Sequence, residues 1–589
     1  MKLSDYVADF LAREGVKHVF LISGGAAVHL VDSIARHPFL TYVCTQHEQA
    51  AAMAADGYAR SNGNLGVALT TSGPGATNLM TGVCCSYFDS IPTLLLTGQV
   101  ARHRLKGRSA LRQKGFQETD VVSMFKPVTK YAVQVTDPLK IRCELQKAVF
   151  IAREGRPGPV LVDIPDDLQR VEVRVDDLEV YQPEKSLYPF AHKPEWCEKL
   201  QSLLDEAKRP VLIYGAGIRI GKAEQQARAF AKRLDIPVLL TWGGADLLSS
   251  DDPVNAGRVG VCGPRGGNFT VQNSDLVIAV GTRLNQMVIG GRPDLFAPNA
   301  SKVMVDIDSQ ELEKFQDHEI KIDLKIQETA TTFFAACSSL NWNPDSRSHE
   351  TWWNCIRSWN KDYPICPDEY RDREKDVDAY VFLTKLSERL KSDDIVITDA
   401  GGNLSWTMQT IGINEGQRVF SAWNHSPMGY SLPASIGAAL ATGRRVVCII
   451  GDGGLMMCLE ELATVMRHQL PVKIFVFNNH GHGIQKQTLE AWLDARFEAV
   501  DEKTGLCFPD FQLVGKAFRI PTSHVQTHQE LTRSLLEIFE DDSPELCEVE
   551  IRSDQKITPM LKYGAGLEDL DPKIPHEELH KIMNMRERA

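Results

Sequence analysis

Continuous apolar runs and helical stretches alternate along most of the chain. "KHVFLISGG" is apolar and ends in glycines, "HEQAAAMAADGYAR" is Ala-rich, "NLGVALTTSGPGATNLMTGVCCSYFD" reads strand, Gly-rich turn, helix, and "IPTLLLTGQ" and "GPVLVDIP" are apolar throughout. Apolar runs bounded by turn residues and separated by helical patterns predict parallel sheets covered by helices on both faces. The rhythm breaks at the polar, charge-mixed stretch 171–195, which reads as a linker, and resumes with "RPVLIYGAG", "IPVLLTWGG", "SDLVIAVGTRL" and "ASKVMVDID". A second break, at roughly 340–377, is rich in Trp, Asp, Arg and Pro, and a third unit runs from "DDIVITDAGGN" to "ELCEVEI". The expectation is an α/β chain of three doubly wound parallel-sheet domains at 1–170, 191–340 and 375–552, with a polar tail without sheet rhythm at 553–589.

The bulk numbers narrow the function classes. A chain of 589 residues with 43% apolar and 24% charged residues has room for three or four domains. Its net charge of −12, without a long basic run, argues against nucleic acid as a partner. No apolar segment reaches the length of a membrane span, and the N-terminal "MKLSDYVADF" lacks the pattern of a secretion signal. Thirteen cysteines, an odd number without a CxxC pair, suit reduced thiols in the cytoplasm better than a disulfide frame or a zinc site.

The chemistry concentrates in "GDGGLMMCLEELATVMRHQLPVKIFVFNNHGHG", residues 451–483. Two apolar strands flank an amphipathic crossover helix. Parallel strands joined in this way end at the same edge of the sheet, so Asp452 and Asn479 are expected side by side at the edge where doubly wound sheets bind ligands. Two oxygen ligands with room for waters and phosphate oxygens suit magnesium, and the adjacent glycines Gly453 and Gly454 let an anion approach the backbone. The plainer alternative, an Asp-Gly turn followed by an Asn-rich helix cap, leaves the second asparagine unexplained.

GDGG, a crossover and then NN resembles the diphosphate-binding signature of thiamine diphosphate enzymes, and further segments resemble their acetolactate synthase branch. The resemblance implies pyrimidine-binding, central Rossmann-like and diphosphate-binding domains in that order. It implies that Glu48, in "TQHEQAAAMAADGYAR", faces ring nitrogen N1′ of the aminopyrimidine and exchanges a proton with it. Pro74 and Asn78 of "TTSGPGATN" would lie beside that ring, with Gly25 and Ala26 as further contacts and Gln117 near the reacting centre. Met428 would hold the cofactor bent, Ser426 would offer a backbone group to the pyrimidine, and Gly402, Asn403 and Ile484 would join Gly453 and Gly454 around the diphosphate. Gly481 would give a carbonyl as the third protein ligand of the Mg2+ ion. His47, His425, His480 and His482 serve equally well as packing residues, and His482 is the candidate for protonating a substrate oxygen. In the central unit Gly215, Gly217, Gly263, Arg283 and Asp306, with Asp308 as an alternative, align with the FAD-binding segments of the synthases. That flavin would be structural, and the alternative is a vestigial domain whose glycines only make turns.

The resemblance implies a thiamine diphosphate- and magnesium-dependent enzyme that decarboxylates a small 2-keto acid, pyruvate above all, and transfers the two-carbon unit to a ketone. It also implies a homodimer or homotetramer. Thr488 stands where the synthases carry a tryptophan, "GTRLNQ" lacks their acidic pair, and the tail "YGAGLEDLDPKIPHEEL" resembles enzymes of branched-sugar synthesis. The expected acceptor is therefore a nucleotide-linked keto-deoxysugar. The alternatives are an acetolactate synthase joining two 2-keto acids, a simple decarboxylase and a non-catalytic homologue.

Overall fold

The structure is a computed structural model that describes residues 1–183, 195–316, 319–372 and 375–584. It contains three six-stranded sheets, all of whose strand pairs are parallel. The first is built from β1 (His18–Leu21), β2 (Thr41–Cys44), β3 (Gly66–Thr70), β4 (Thr93–Gln99), β5 (Tyr131–Gln134) and β6 (Val160–Pro165), in the order β2-β1-β3-β4-β6-β5. The second holds β7 (Pro210–Tyr214), β8 (Val238–Leu240), β9 (Asn255–Arg258), β10 (Leu276–Val280), β11 (Ser301–Asp306) and β12 (Leu324–Gln327), in the order β12-β11-β10-β7-β8-β9. The third holds β13 (Ile395–Thr398), β14 (Arg418–Phe420), β15 (Val446–Gly451), β16 (Val472–Asn478), β17 (Thr522–Val525) and β18 (Glu545–Glu550), in the order β14-β13-β15-β16-β18-β17. The first and third sheets thus share one topology, and the middle sheet has the order of dinucleotide-binding folds. Each has a switch point, between β1 and β3, between β7 and β10, and between β13 and β15, and the first and third sheets also end on a reversed pair, β6-β5 and β18-β17.

The central strands β4 and β16 are buried at every position, which explains the apolar runs Leu94–Leu96 and Ile474–Phe477 within them, whereas the edge strand β2 buries only Val43. The Ala-rich helix Glu48–Asn62 packs on the helix Ser431–Thr442 of the third domain. Small residues make this contact possible. A Cβ on Gly57 would lie 2.3 Å from the Ala434 carbonyl oxygen, and one on Gly437 would lie 1.9 Å from that of Ala54. A buried polar network ties the same surfaces together: Tyr430 donates to Asp56 Oδ1 (2.5 Å), and Arg60 bridges Asp56 (2.6 Å) and Asp89 (2.8 Å).

The two breaks and the tail are more ordered than their composition predicts. The second break carries the helix Ser346–Asp362, whose Trp352, Trp353, Ile356 and Trp359 enter the core of the central domain. The tail forms an antiparallel pair, β19 (Met560–Leu561) with β20 (Leu570–Asp571), and the helix His576–Met583; Leu561, Leu567, Leu570 and Ile582 cover the same core. Within the first break, Val173 and Leu178 pack on the first domain, and residues 184–194 lie outside the described residues. None of the thirteen cysteines forms a disulfide, and among the described residues no helix is long and apolar enough to cross a membrane.

Candidate active site

The C-terminal edge of the third sheet, beside its switch point, gathers the residues of the GDG–NN pattern. β15 and β16 pair in register up to Gly451 and Phe477, so Asp452 and Asn479 leave neighbouring strand ends. Asp452 is 3% exposed; its Oδ1 accepts from the Gly453 N–H (2.6 Å) and its Oδ2 from the Gly481 N–H (3.0 Å). Burial pushes its carboxyl up to about 6 against the opposing pull of these N–H groups. One end of the Asn479 carboxamide lies 2.6 Å from the Gly481 carbonyl oxygen and 3.3 Å from Asp452 Oδ2, and with its nitrogen there it donates to both. Turned over, it presents a third oxygen at the same point. Adjacent oxygens around a cation at about 2.1 Å in octahedral array lie roughly 3 Å apart, so this donor set fits an oxygen-preferring divalent ion.

Around this point glycines let side chains come close to the backbone. A Cβ on Gly453 would meet His482 Nε2 at 2.8 Å and Met428 Cε at 2.9 Å, so these three residues share one small space. Gly401 has φ +103°, which turns the chain into the helix Gly402–Thr410. The Asn403 side chain is spent on the turn itself, accepting from Thr398 Oγ1 (2.9 Å) and donating to the Ala400 carbonyl (2.8 Å). Ser426 has φ +49°, and Met428 and Ile484 are half-buried. A residue given no role from the sequence, Asp399, organises this side. It is fully buried and accepts the N–H groups of Ala400 (2.9 Å), Gly429 (2.9 Å) and Ser431 (2.8 Å), and burial pushes its carboxyl up to about 6.

The switch point of the first sheet gathers a second set. Gly25–Ala27 forms a turn after β1, where the Ala26 N–H donates to Thr71 Oγ1 (3.2 Å). Pro74 opens the short helix Pro74–Thr77 after β3, and Asn78 Nδ2 donates to Glu48 Oε2 (2.9 Å). Glu48 is half-buried at the start of its helix. Gly73, at φ +62°, leaves space for Gln117, since a Cβ there would lie 2.9 Å from Gln117 Cβ.

The switch point of the central sheet opens into a cavity of about 910 Å³ lined by all three domains. Gly217, Arg283 and Asp306 line it, as do Arg60 and Arg156 of the first domain and Arg418 and Trp423 of the third. Arg283 donates to Asn424 Oδ1 (2.7 Å), and burial pushes the Asp306 carboxyl upward. Gly215 lies behind the cavity wall, where a Cβ would meet the Gly281 carbonyl oxygen at 2.4 Å. Gly263 is not brought to the lining. A Cβ there would run into Gly260 N (2.7 Å) and Asn268 Oδ1 (2.9 Å), so it is a packing glycine of its own loop. Asp308 pairs with Arg156 (3.0 Å).

The histidines divide. His47 caps its helix, accepting from the Gln49 N–H at Nδ1 (3.1 Å); His425 stacks on Phe88; and His480 pairs with Glu550 (3.0 Å). Of the four, His482 stands against Gly453 in the turn after β15, and burial lowers its pKa. Thr488 lies one turn beyond Ile484 and donates to that residue's carbonyl (3.0 Å).

Comparison with known proteins accords with this arrangement. Residues 1–124 match the thiamine pyrophosphate enzyme N-terminal TPP binding domain, 197–334 the central domain and 399–549 the C-terminal TPP binding domain. The acetolactate synthase large subunit of Lactococcus lactis subsp. lactis (strain IL1403) is 32% identical over 574 residues, covering 96% of this chain and 95% of that one. The acetolactate synthase isozyme 2 large subunit of Escherichia coli (strain K12) is 32% identical over 575 residues, covering 98% and 100%. The chain belongs to the thiamine pyrophosphate enzymes, in their acetolactate synthase-like branch. It is a thiamine diphosphate-dependent enzyme of the carboligase and transferase type.

Proposed function

We propose that the enzyme decarboxylates a small 2-keto acid such as pyruvate and joins the two-carbon unit to a second 2-keto acid, the reaction for which its relatives are named. The observation that carries the reading is the meeting of Asp452 Oδ2, the Gly481 carbonyl and the Asn479 carboxamide at 2.6–3.3 Å, a donor set suited to magnesium beside glycines suited to a diphosphate. Bound thiamine diphosphate supplies the carbanion-stabilising ring. The chain's own residues do the rest. Asn78 occupies Glu48 Oε2, which leaves Oε1 to hold the proton exchanged with N1′ of the aminopyrimidine. Asp399 fixes the loop that carries Met428. Gln117 and His482 stand at the two halves of the site as substrate-facing groups.

Three finer readings belong with this one. The cavity at the central switch point, with Gly217, Arg283 and Asp306 in its wall, suits FAD in a structural role. The two halves of the site come from two subunits of a homodimer or homotetramer. Thirteen cysteines without a disulfide among them suit a reducing compartment such as the cytoplasm. One observation favours a second acceptor: Thr488 is small and turns its hydroxyl back to its own helix, which leaves space for a bulkier ketone such as a nucleotide-linked keto-deoxysugar. Incubation with labelled pyruvate and a panel of 2-keto acids and keto-sugars, with products identified by mass, tests the proposal. Acetolactate-type products are expected, and free aldehyde as the sole product would overturn ligation.

A further inference from the structure

Glu461 belongs to the third domain but spends its carboxylate on the first. It is fully buried at the end of the turn Leu459–Glu461. Its Oε1 accepts the backbone N–H groups of Gln46 (2.7 Å) and His47 (3.1 Å), and its Oε2 accepts from Thr464 Oγ1 (2.7 Å). A carboxylate withdrawn from water is costly unless its oxygens are bonded, so the pairing is specific. The captured N–H groups lie in the turn between β2 and the helix Glu48–Asn62. The same turn is closed by Thr45 Oγ1 donating to the His47 carbonyl (3.0 Å) and by the His47 cap. The peptides of Gln46 and His47 set the direction in which Glu48 leaves the backbone. We propose that Glu461 is a positioning residue for Glu48, so that the segment beginning at Asp452 aims the proton-exchanging carboxyl of the same chain. The inference rests on the Glu48 reading above.

A merely adhesive role is the competing explanation. The interface already has the close helix pair at Gly57 and Gly437 and the Asp56–Tyr430–Arg60 network, so the loss of one further contact should disturb aim before association. Burial pushes the Glu461 carboxyl up to about 7. When protonated at Oε2 it donates to Thr464 and still accepts both N–H groups at Oε1. Glutamine reproduces that pattern, with its amide nitrogen facing Thr464.

The test compares proton exchange at C2 of bound thiamine diphosphate, with magnesium, in the wild type and in Glu461→Ala, Glu461→Gln and Glu48→Gln, followed by quenched-flow magnetic resonance. Calorimetry gives cofactor affinity alongside. Glu461→Ala should slow exchange by about tenfold or more, since a misplaced acid–base group loses much of its typical effect. Affinity should stay within about threefold, and Glu461→Gln should restore exchange to within about threefold of wild type. Wild-type exchange in Glu461→Ala beside slow exchange in Glu48→Gln overturns the positioning role alone. Wild-type exchange in Glu48→Gln overturns the Glu48 reading itself. Equal slowing in Glu461→Ala and Glu461→Gln, with equal loss of melting temperature, makes Glu461 an adhesive contact. Should Glu461→Ala fail to fold, Glu461→Asp, one methylene shorter, must slow exchange; an unchanged rate there also overturns the proposal.

Discussion

Asp399 and Gly429 lie 30 positions apart and are joined by a 2.9 Å hydrogen bond from the glycine N–H to Asp399 Oδ1. The other oxygen takes the Ser431 N–H at 2.8 Å, so one carboxylate at the end of β13 fastens both sides of the turn that follows Met428. Asp399→Ala leaves these buried donors unpaired, at about 1–3 kcal/mol each. Part of that cost falls on the ligand-ready form of the loop, so affinity for thiamine diphosphate should drop by about tenfold or more. Asp399→Asn keeps the Oδ1 bonds and should lose less. Calorimetric titration decides; wild-type affinity in both variants would remove Asp399 from the site.

Asp452→Ala should abolish magnesium-dependent cofactor binding, because the diphosphate charges would then face the glycine turn without a bridging cation. A chelator should do the same to the wild type, and added magnesium should reverse the effect only there. Cofactor binding in Asp452→Ala as tight as in the wild type would show that the cluster at Asp452, Asn479 and Gly481 is not the metal site.

The meeting of Asp452 and Asn479 was legible because they follow adjacent strands, β15 and β16, joined by one crossover, and chain direction alone brings them together. The role of Asp399 was not, because its partners lie in a loop shaped by Gly429 at φ +82°, and no periodicity reports that. Gly263 shows the opposite case: a glycine in a loop reads the same whether it spares room for a ligand or for its own loop. The helix Ser346–Asp362 had a signal that composition hid. Trp352, Trp353, Ile356 and Trp359 recur at helical spacing inside a charged stretch. The tail was misread because its two strands have two residues each, too short for alternation to show.

If the two halves of the site come from two chains, inactive variants should complement. Exposed apolar residues adjoin both halves: Phe116 (84% exposed) precedes Gln117, and Met457 (56% exposed) follows the Asp452 turn. In a mixed dimer of Glu48→Gln and Asp452→Ala subunits, one shared site carries both substitutions and the other carries neither. Activity should therefore return once the two inactive proteins exchange subunits. Mixtures that stay inactive after demonstrated exchange would place both halves in one chain.

The central cavity makes an optical prediction. Trp242 and Trp423 both line it, with ring centroids 6.4 Å apart, so a flavin seated there should quench their fluorescence. Purified protein should be yellow and release a chromophore with the flavin spectrum on denaturation. A colourless protein whose fluorescence is unchanged by added FAD would make the central domain vestigial.

Thr488 decides between the two acceptor readings. It stands on the helix Gly483–Trp492 directly after the Gly481 turn, half-buried, with its hydroxyl turned back to the Ile484 carbonyl (3.0 Å). In the proposed reaction, decarboxylation of the first 2-keto acid would take place against the cofactor, and the acceptor would enter afterwards past this helix. Thr488→Trp adds an indole where a small side chain now stands, and a filled space excludes a large ligand more than a small one. If the site takes a bulky ketone, ligation to a keto-sugar should fall by about tenfold or more while decarboxylation of pyruvate stays within about threefold. Ligation to a second small 2-keto acid should fall between the two. Measuring all three rates on one preparation separates these effects from a loss of fold, which would lower them together. Equal losses would mean that residue 488 is no gate, and the keto-sugar reading would lose the observation that favours it, leaving the 2-keto acid acceptor.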